Sequence, residues 1–338
     1  MDINTPFISD PQMLESLLKD LNGEMEYSIM NDFLSKYTLQ NDLYALTGLL
    51  AALLHIDLKE ITNIEVLNPI ELSDVISGKD CILDIKLELN HHKIINIEIQ
   101  SVYQDFWPER SITYLCRLFD HLDSGANYGS IKPCVHIGIV NHDLFKESDP
   151  RYTGELFSEY RLLNTKTHQE YSSKFEIRVL SLNHLDKATD EDKQNPNGLY
   201  YWAKFFNSRT WGDLMEVAEN NHRMKSFVGT VRKLTAEEKV AEAYEARRRY
   251  LSDIATYEYS IACREVALAE KDAALAERDA ALAEKDSALA EKDSALAEKD
   301  SALAEKDSII AQKDADIERM QATILELKEK YASLNSKD

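Results

Sequence analysis

The segment ILDIKLELNHHKIINIEIQ, residues 82–100, decides the fold. Read with the two-residue period of a strand, Leu83, Ile85, Leu87 and Leu89 share one face, and Asp84, Lys86 and Glu88 share the other. In residues 94–100, Ile95, Ile97 and Ile99 share a face, and Asn96, Glu98 and Gln100 share the opposite one. Residues 90–93 between them are of hairpin length. Two registers keep the apolar faces together. One sets Lys86 opposite Glu98 and Asp84 opposite Gln100; the other, two residues shorter, sets Asp84 opposite Glu98. An odd shift would put isoleucine against aspartate, which the patterning forbids. In either register Asp84, Glu98 and Gln100 converge within one layer of side chains.

Two carboxylates held that close repel unless something offsets their charge. A hard divalent cation does so, because Mg²⁺ takes one or two carboxylates and completes its shell with water and substrate phosphate. Such an ion polarises a phosphodiester and activates water. On pattern alone the same residues also fit an ordinary half-exposed hairpin, with a cross-strand ion pair between Lys86 and Glu98.

Around this hairpin the chain alternates helical and extended signals. Residues 1–24 read as a short arm. Residues 25–54 read as helix, with Leu43, Leu46, Leu49, Leu50, Leu53 and Leu54 recurring at three- and four-residue steps. Residues 64–67, 135–140 and 177–182 read as further strands, with turns at Asn68-Pro69 and Ser77-Gly78. Residues 112–122 are helical, with Ile112, Leu115, Cys116 and Phe119 on one face. Beyond Pro196 an aromatic helical patch follows, including Trp202, Phe205, Phe206 and Trp211.

Near Leu234 glycine and proline vanish and alanine, glutamate, lysine and arginine take over, the composition of a long helix. Three segments result: an arm at 1–24, an α/β domain at 25–234, and a helical tail at 235–338. From Leu268 the tail repeats every seven residues as LAEKDAA, LAERDAA, LAEKDSA and so on. Leucine occupies position a of each repeat through Leu303, but lysine or arginine occupies position d. Both positions turn apolar only at Ile317/Met320, Ile324/Leu327 and Tyr331/Leu334. A coiled coil wants both apolar, so association is expected to be weak in the middle and firmer at the end. The tail fits a spacer, or a stalk that joins a homodimer or another partner.

Composition bounds the function. No basic-then-apolar leader and no apolar run of membrane length occurs, so a cytoplasmic protein with no membrane contact is expected. The four cysteines form no CxxC pair and read as free buried thiols, and the histidines show no zinc spacing. The net charge of −21 argues against a protein that coats nucleic acid through a basic surface, but does not exclude an enzyme that meets DNA at one cleft. There is no P-loop, no GxGxxG and no nucleophile elbow.

The order Asp84, hairpin, Glu98-x-Gln100 resembles the PD-(D/E)XK nuclease signature, with Gln where the usual lysine stands. The blocks NPIELSD (68–74), ILDIK (82–86), NIEIQ (96–100), WPERSITYLCRLFD (107–120) and KPCVHIGIV (132–140) resemble, in order, the Rpn family of recombination-promoting nucleases, also described as PD-(D/E)XK nuclease family transposases. The resemblance covers roughly residues 25–235 and stops before the heptads. It implies a restriction-endonuclease-like α/β fold, a mixed sheet flanked by helices. It also implies a DNA endonuclease that depends on Mg²⁺ or Mn²⁺, hydrolyses phosphodiester bonds and is linked to recombination or mobile elements.

Carried over, Asp84 and Glu98 would be metal ligands, and Gln100 would orient water or phosphate without the charge lysine brings. Lys86 is a candidate to supply that charge. Arg110 and Tyr114, four apart on one helix face, would border the site, with the arginine on a phosphate. The family's Asp-x-x-Phe-Lys element resembles DFLSK (32–36), which keeps the Asp and the Lys but has Ser35 in the Phe place; this makes Asp32 a third acidic candidate, although as a helix N-cap it would need no chemistry. The alternative function is a catalytically weak or silent nuclease-fold protein that acts as an assembly module through its tail.

Overall fold

The computed structural model describes residues 2–76, 84–100, 106–120, 127–145 and 147–334. Six strands form one mixed sheet: β1 (Ile64–Val66), β2 (Ile85–Leu89), β3 (Lys93–Gln100), β4 (Cys134–Val140), β5 (Phe157–Arg161) and β6 (Phe175–Ser181). Their spatial order is β1-β2-β3-β4-β6-β5. The α-helices are α1 (Pro11–Leu18), α2 (Asp32–Asn41), α3 (Leu43–Leu54), α4 (Leu72–Ile76), α5 (Trp107–Phe119), α6 (Leu199–Phe206), α7 (Trp211–Ala218), α8 (His222–Thr235) and α9 (Glu238–Leu334).

The hairpin takes the shorter of the two registers. Ile85 lies opposite Ile97, Lys86 opposite Asn96 and Leu89 opposite Lys93, and one more step sets Asp84 against Glu98. The turn explains the choice. Asn90 and His91 both adopt positive φ, 50° and 60°, and the His92 N–H donates to the Leu89 carbonyl at 3.1 Å. Asparagine bears this left-handed backbone better than most residues. Here its side chain is also engaged: Oδ1 accepts from the Thr62 and Asn63 N–H groups, and Nδ2 donates to the Glu60 carbonyl.

Beyond the hairpin the sheet changes sense. β3, β4 and β6 run parallel, which requires crossover connections, and α5 is the crossover between β3 and β4. The two faces of β3 and β4 are then covered differently. Ile95, Ile97, Ile99, Val135, Ile137 and Ile139 join the main core with residues of α2, α3 and α6–α8. Ile94 and Cys134 face Leu115 and Leu118 of α5, and Val140 packs with Trp107. The even-numbered residues of β3 therefore lie under a single helix.

Several expectations need correction. The continuous helix expected over 25–54 is two helices, broken at Asp42. That residue caps α3 by accepting from the Ala45 N–H, and its other oxygen accepts from Ser226 and Thr230 of α8, a buried tie between the two helices. The helix expected to start at 112 begins at Trp107, with proline in its first turn where no N–H is missed. β5 carries no apolar alternation and was not foreseen; only Ser158 in it is buried, as suits an edge strand. Cys134 is buried, but Cys116 and Cys263 are exposed free thiols. Cys81 and the Ser77-Gly78 turn lie outside the described residues.

The chain divides into two compact units, residues 1–256 and 257–338. The first takes in more than composition assigns to it. Ile3 and Ile8 of the arm are buried, and α1 packs on α8. At the other end Val240, Ala243 and Tyr244 of α9 are buried, and the Tyr244 hydroxyl accepts from the Ser28 N–H at 2.9 Å. The second unit is the rest of α9, whose heptad leucines from Leu268 to Leu303 remain 53–60% exposed. Among the described residues, no helix is long and apolar enough to cross a membrane.

Candidate metal centre

The polar residues of β3 lie beneath α5, where water is scarce. Asn96, Glu98, Asp84 at the mouth of β2 and His136 of β4 are all buried, Glu98 to 2% and His136 to 0% exposure. The parallel register sets Asn96 beside His136 and Glu98 beside Gly138. Gly138 is needed there, because a β-carbon would come within 2.3 Å of the Trp107 indole. The close approach of α5 that this permits brings Arg110 and Tyr114 over the carboxylates.

The contacts form a short chain. Asn96 Nδ2 donates to Asp84 Oδ2 at 3.1 Å and lies 3.2 Å from His136 Nδ1. His136 Nε2 lies 3.6 Å from Glu98 Oε2, and Arg110 Nη2 lies 2.9 Å from Glu98 Oε1. Arg110 also stacks over Tyr114, 5.2 Å from the ring centre, and Tyr114 meets His136 edge-on. Despite this crowding, Glu98 Oε2 receives no hydrogen bond, and Oε1 meets only the Arg110 guanidinium. Buried oxygens without donors are costly, and that cost shows in the acidities. Burial first, then the charge of Asp84, pushes Glu98 up to about 8, against the pull of Arg110. Asp84 is raised by burial and eased by its Asn96 hydrogen bond. Burial, with Arg110 adding to it, drives His136 down to about 3, so its imidazole is neutral.

Of the residues singled out from the sequence, Asp84, Glu98, Arg110 and Tyr114 are brought together here. Gln100 ends β3, one alternation beyond Glu98 on the same face, and is half-buried. Lys86 is not the cross-strand partner of Glu98. It lies opposite Asn96 rather than Glu98, so the cross-strand ion pair of the ordinary-hairpin reading does not form, and its charge is felt at Cys134. Asp32 is not the N-cap of α2; Asn31 is, through the Leu34 N–H. Arg247 of α9 holds both oxygens of Asp32, at 3.0 and 3.2 Å from its Nε. The charge of Asp32 nevertheless reaches both Asp84 and Glu98.

Sequence reasoning passed over three residues. His136 sits inside an apolar strand, Asn96 looks like a neutral filler, and Lys36, one turn after Asp32, is buried to 1% with its charge felt at Asp84. The one available signal was polarity within runs too apolar to be a surface.

A divalent cation fits this arrangement. It would give Glu98 Oε2 the partner it lacks and would cancel the repulsion between Glu98 and Asp84. Among the described residues, no group of three or more acidic, histidine or cysteine side chains is close enough to hold a metal. Asp84 and Glu98 are the pair that could hold such an ion, with water and substrate completing its shell.

A family model described as PD-(D/E)XK nuclease family transposase matches residues 30–259, from the start of α2 into α9. No curated protein and no solved structure matches the chain significantly.

Proposed function

The chain belongs to the PD-(D/E)XK nuclease family transposases, and from that we propose that it is a metal-dependent DNA endonuclease linked to recombination or mobile elements. One observation carries the reading: Glu98 is buried beside Asp84 with no hydrogen bond on Oε2 and only the Arg110 guanidinium at Oε1. Asp84 and Glu98 would hold Mg²⁺ or Mn²⁺. The bound ion would supply a polarised scissile phosphate and a water acidic enough to attack it.

The rest of the work falls to side chains. Arg110, whose charge already balances Glu98, is the group to meet a DNA phosphate. Lys36 adds a second positive charge near Asp84, which supports an active site even though Gln100 brings none. Gln100 can still orient water or phosphate by hydrogen bonding. Contact with DNA would be local, since the overall charge is −21.

A second reading has its own support. The heptad leucines of α9 stay more than half exposed, as a stalk awaiting a second copy or another partner would leave them. A catalytically silent assembly protein would keep that stalk and need no metal.

Incubating supercoiled plasmid with the protein in Mg²⁺, Mn²⁺ or EDTA separates the two. Nicking or linearisation that requires metal and is lost in Asp84→Ala supports the nuclease. A folded protein that cuts in no metal leaves the assembly reading.

A further inference from the structure

We infer that Asn96 and His136 form a chain that is hydrogen-bonded from Asp84 as far as His136 Nδ1, with the His136 proton on Nε2 and aimed at Glu98, so that His136 positions Glu98 rather than binding the metal itself. The inference rests on Asp84 and Glu98 being the metal-binding pair.

The argument begins at Asp84. In the ionised form a metal needs, its carboxylate only accepts hydrogen bonds, so the neighbouring amide of Asn96 must present Nδ2, as it does at 3.1 Å. The same nitrogen lies 3.2 Å from His136 Nδ1. An amide nitrogen has two protons and no acceptor capacity, so Nδ1 must be the acceptor. A neutral imidazole that accepts at Nδ1 carries its one proton on Nε2. That proton points at Glu98 Oε2, 3.6 Å away, and both atoms are buried without another hydrogen-bond partner.

At 3.6 Å the last link is a near approach and not a hydrogen bond. Catalytic hydrogen bonds often stand open in this way without ligand and tighten when it binds. The separation of the two unpartnered atoms would equally suit co-ligands of one ion, and only the tautomer argues otherwise: a protonated Nε2 has no lone pair to give. Trp107 and Tyr114, whose ring centres lie 5.8 and 5.9 Å from that of His136, leave the ring little room to turn over.

Imidazole nitrogen shifts test the tautomer directly. In metal-free protein labelled with ¹⁵N-histidine, His136 is assigned by its loss in His136→Gln. A neutral Nε2–H signal at pH 7 is expected; a Nδ1–H tautomer or a charged ring would overturn the inference. Mn²⁺ provides the second arm, read by electron spin echo on the full chain. No directly bound ¹⁴N is expected, and a bound nitrogen would make His136 a ligand and the inference wrong.

Affinity completes the test. His136→Phe, which keeps an aromatic ring but loses the Nδ1 acceptor and the Nε2 proton, should weaken Mn²⁺ binding by on the order of 10-fold. His136→Gln, which keeps one acceptor and one donor, should recover most of it. Wild-type affinity in a folded His136→Phe protein would refute the positioning role, and if that variant does not fold, the tautomer and the Mn²⁺ spectrum still decide. A wild type that binds no Mn²⁺ would sink the metal reading of Asp84 and Glu98 and leave only the tautomer standing.

Discussion

Trp107 lies on Gly138, and no other residue type could stand beneath that indole: a β-carbon at 138 would approach Cζ2 to 2.3 Å. Because Gly138 is the β4 neighbour of Glu98, this contact sets how closely α5 covers the carboxylates. Gly138→Ala must push α5 outward or strain the sheet, at a cost of about 1–3 kcal/mol. Urea unfolding measures that cost, and cleavage should fall further than stability does, because Arg110 moves with the helix. A variant as stable and as active as wild type would show that α5 is not held by this contact.

The carboxylates themselves should separate function from folding. Asp84→Ala and Glu98→Ala are each expected to reduce metal-dependent cleavage by on the order of 100-fold or more. The metal-free protein should keep its fold in both, since each substitution removes a carboxyl group that burial already penalises. Full activity in both variants would dismiss the site.

The raised acidity constant of Glu98 has a consequence for stability. Its ordinary value is 4.5 and the folded value is about 8, so between these the native protein keeps a proton that the unfolded chain has released. Its contribution is fully present below 4.5 and is lost as pH rises through about 8. Metal-free protein should therefore weaken across this window, and added Mn²⁺ should restore it at the alkaline end. Denaturant melts at stepped pH would reveal the slope, and Glu98→Gln should flatten it; an equal slope in that variant would rule out Glu98 as the source.

Arg247 ties the first turns of α9 to α2 through both oxygens of Asp32. Arg247→Ala leaves that carboxylate half-buried and without its cation, at a cost on the order of 1–3 kcal/mol. Hydrogen exchange should rise first near residues 238–250 of α9. Unchanged exchange there would mean that Val240, Ala243 and Tyr244 alone secure the helix.

The heptad region should be dispensable for folding. Among the described residues, deleting 265–338 removes helix from the second unit and no buried apolar side chain. The shortened protein is expected to stay soluble and to melt in one cooperative step at the wild-type temperature. Broad or early melting would show that the tail supports the core.

Much of this molecule is written in local pattern. Period-two alternation in β2 and β3 gave the hairpin and the shared face of Asp84 and Glu98, because a strand has only two faces to choose from. Helical spacing put Arg110 and Tyr114 on one side of α5, and the seven-residue repeat declared the tail. The hairpin register stayed open between two choices, because the deciding factor was the positive-φ turn at Asn90 and His91 and the three backbone groups that hold the Asn90 side chain. The partners of the carboxylates were not legible either. His136 and Lys36 lie 38 and 62 residues from Glu98 in the chain (136 − 98 and 98 − 36); nothing near His136 points there, and near Lys36 only the partial family element at 32–36 does. Sequence by itself determined which side chains share a face, since that follows from backbone geometry. Tertiary structure alone decided which of them lose water together, and burial is what turns an alternating strand into two strained carboxylates that a cation would relieve.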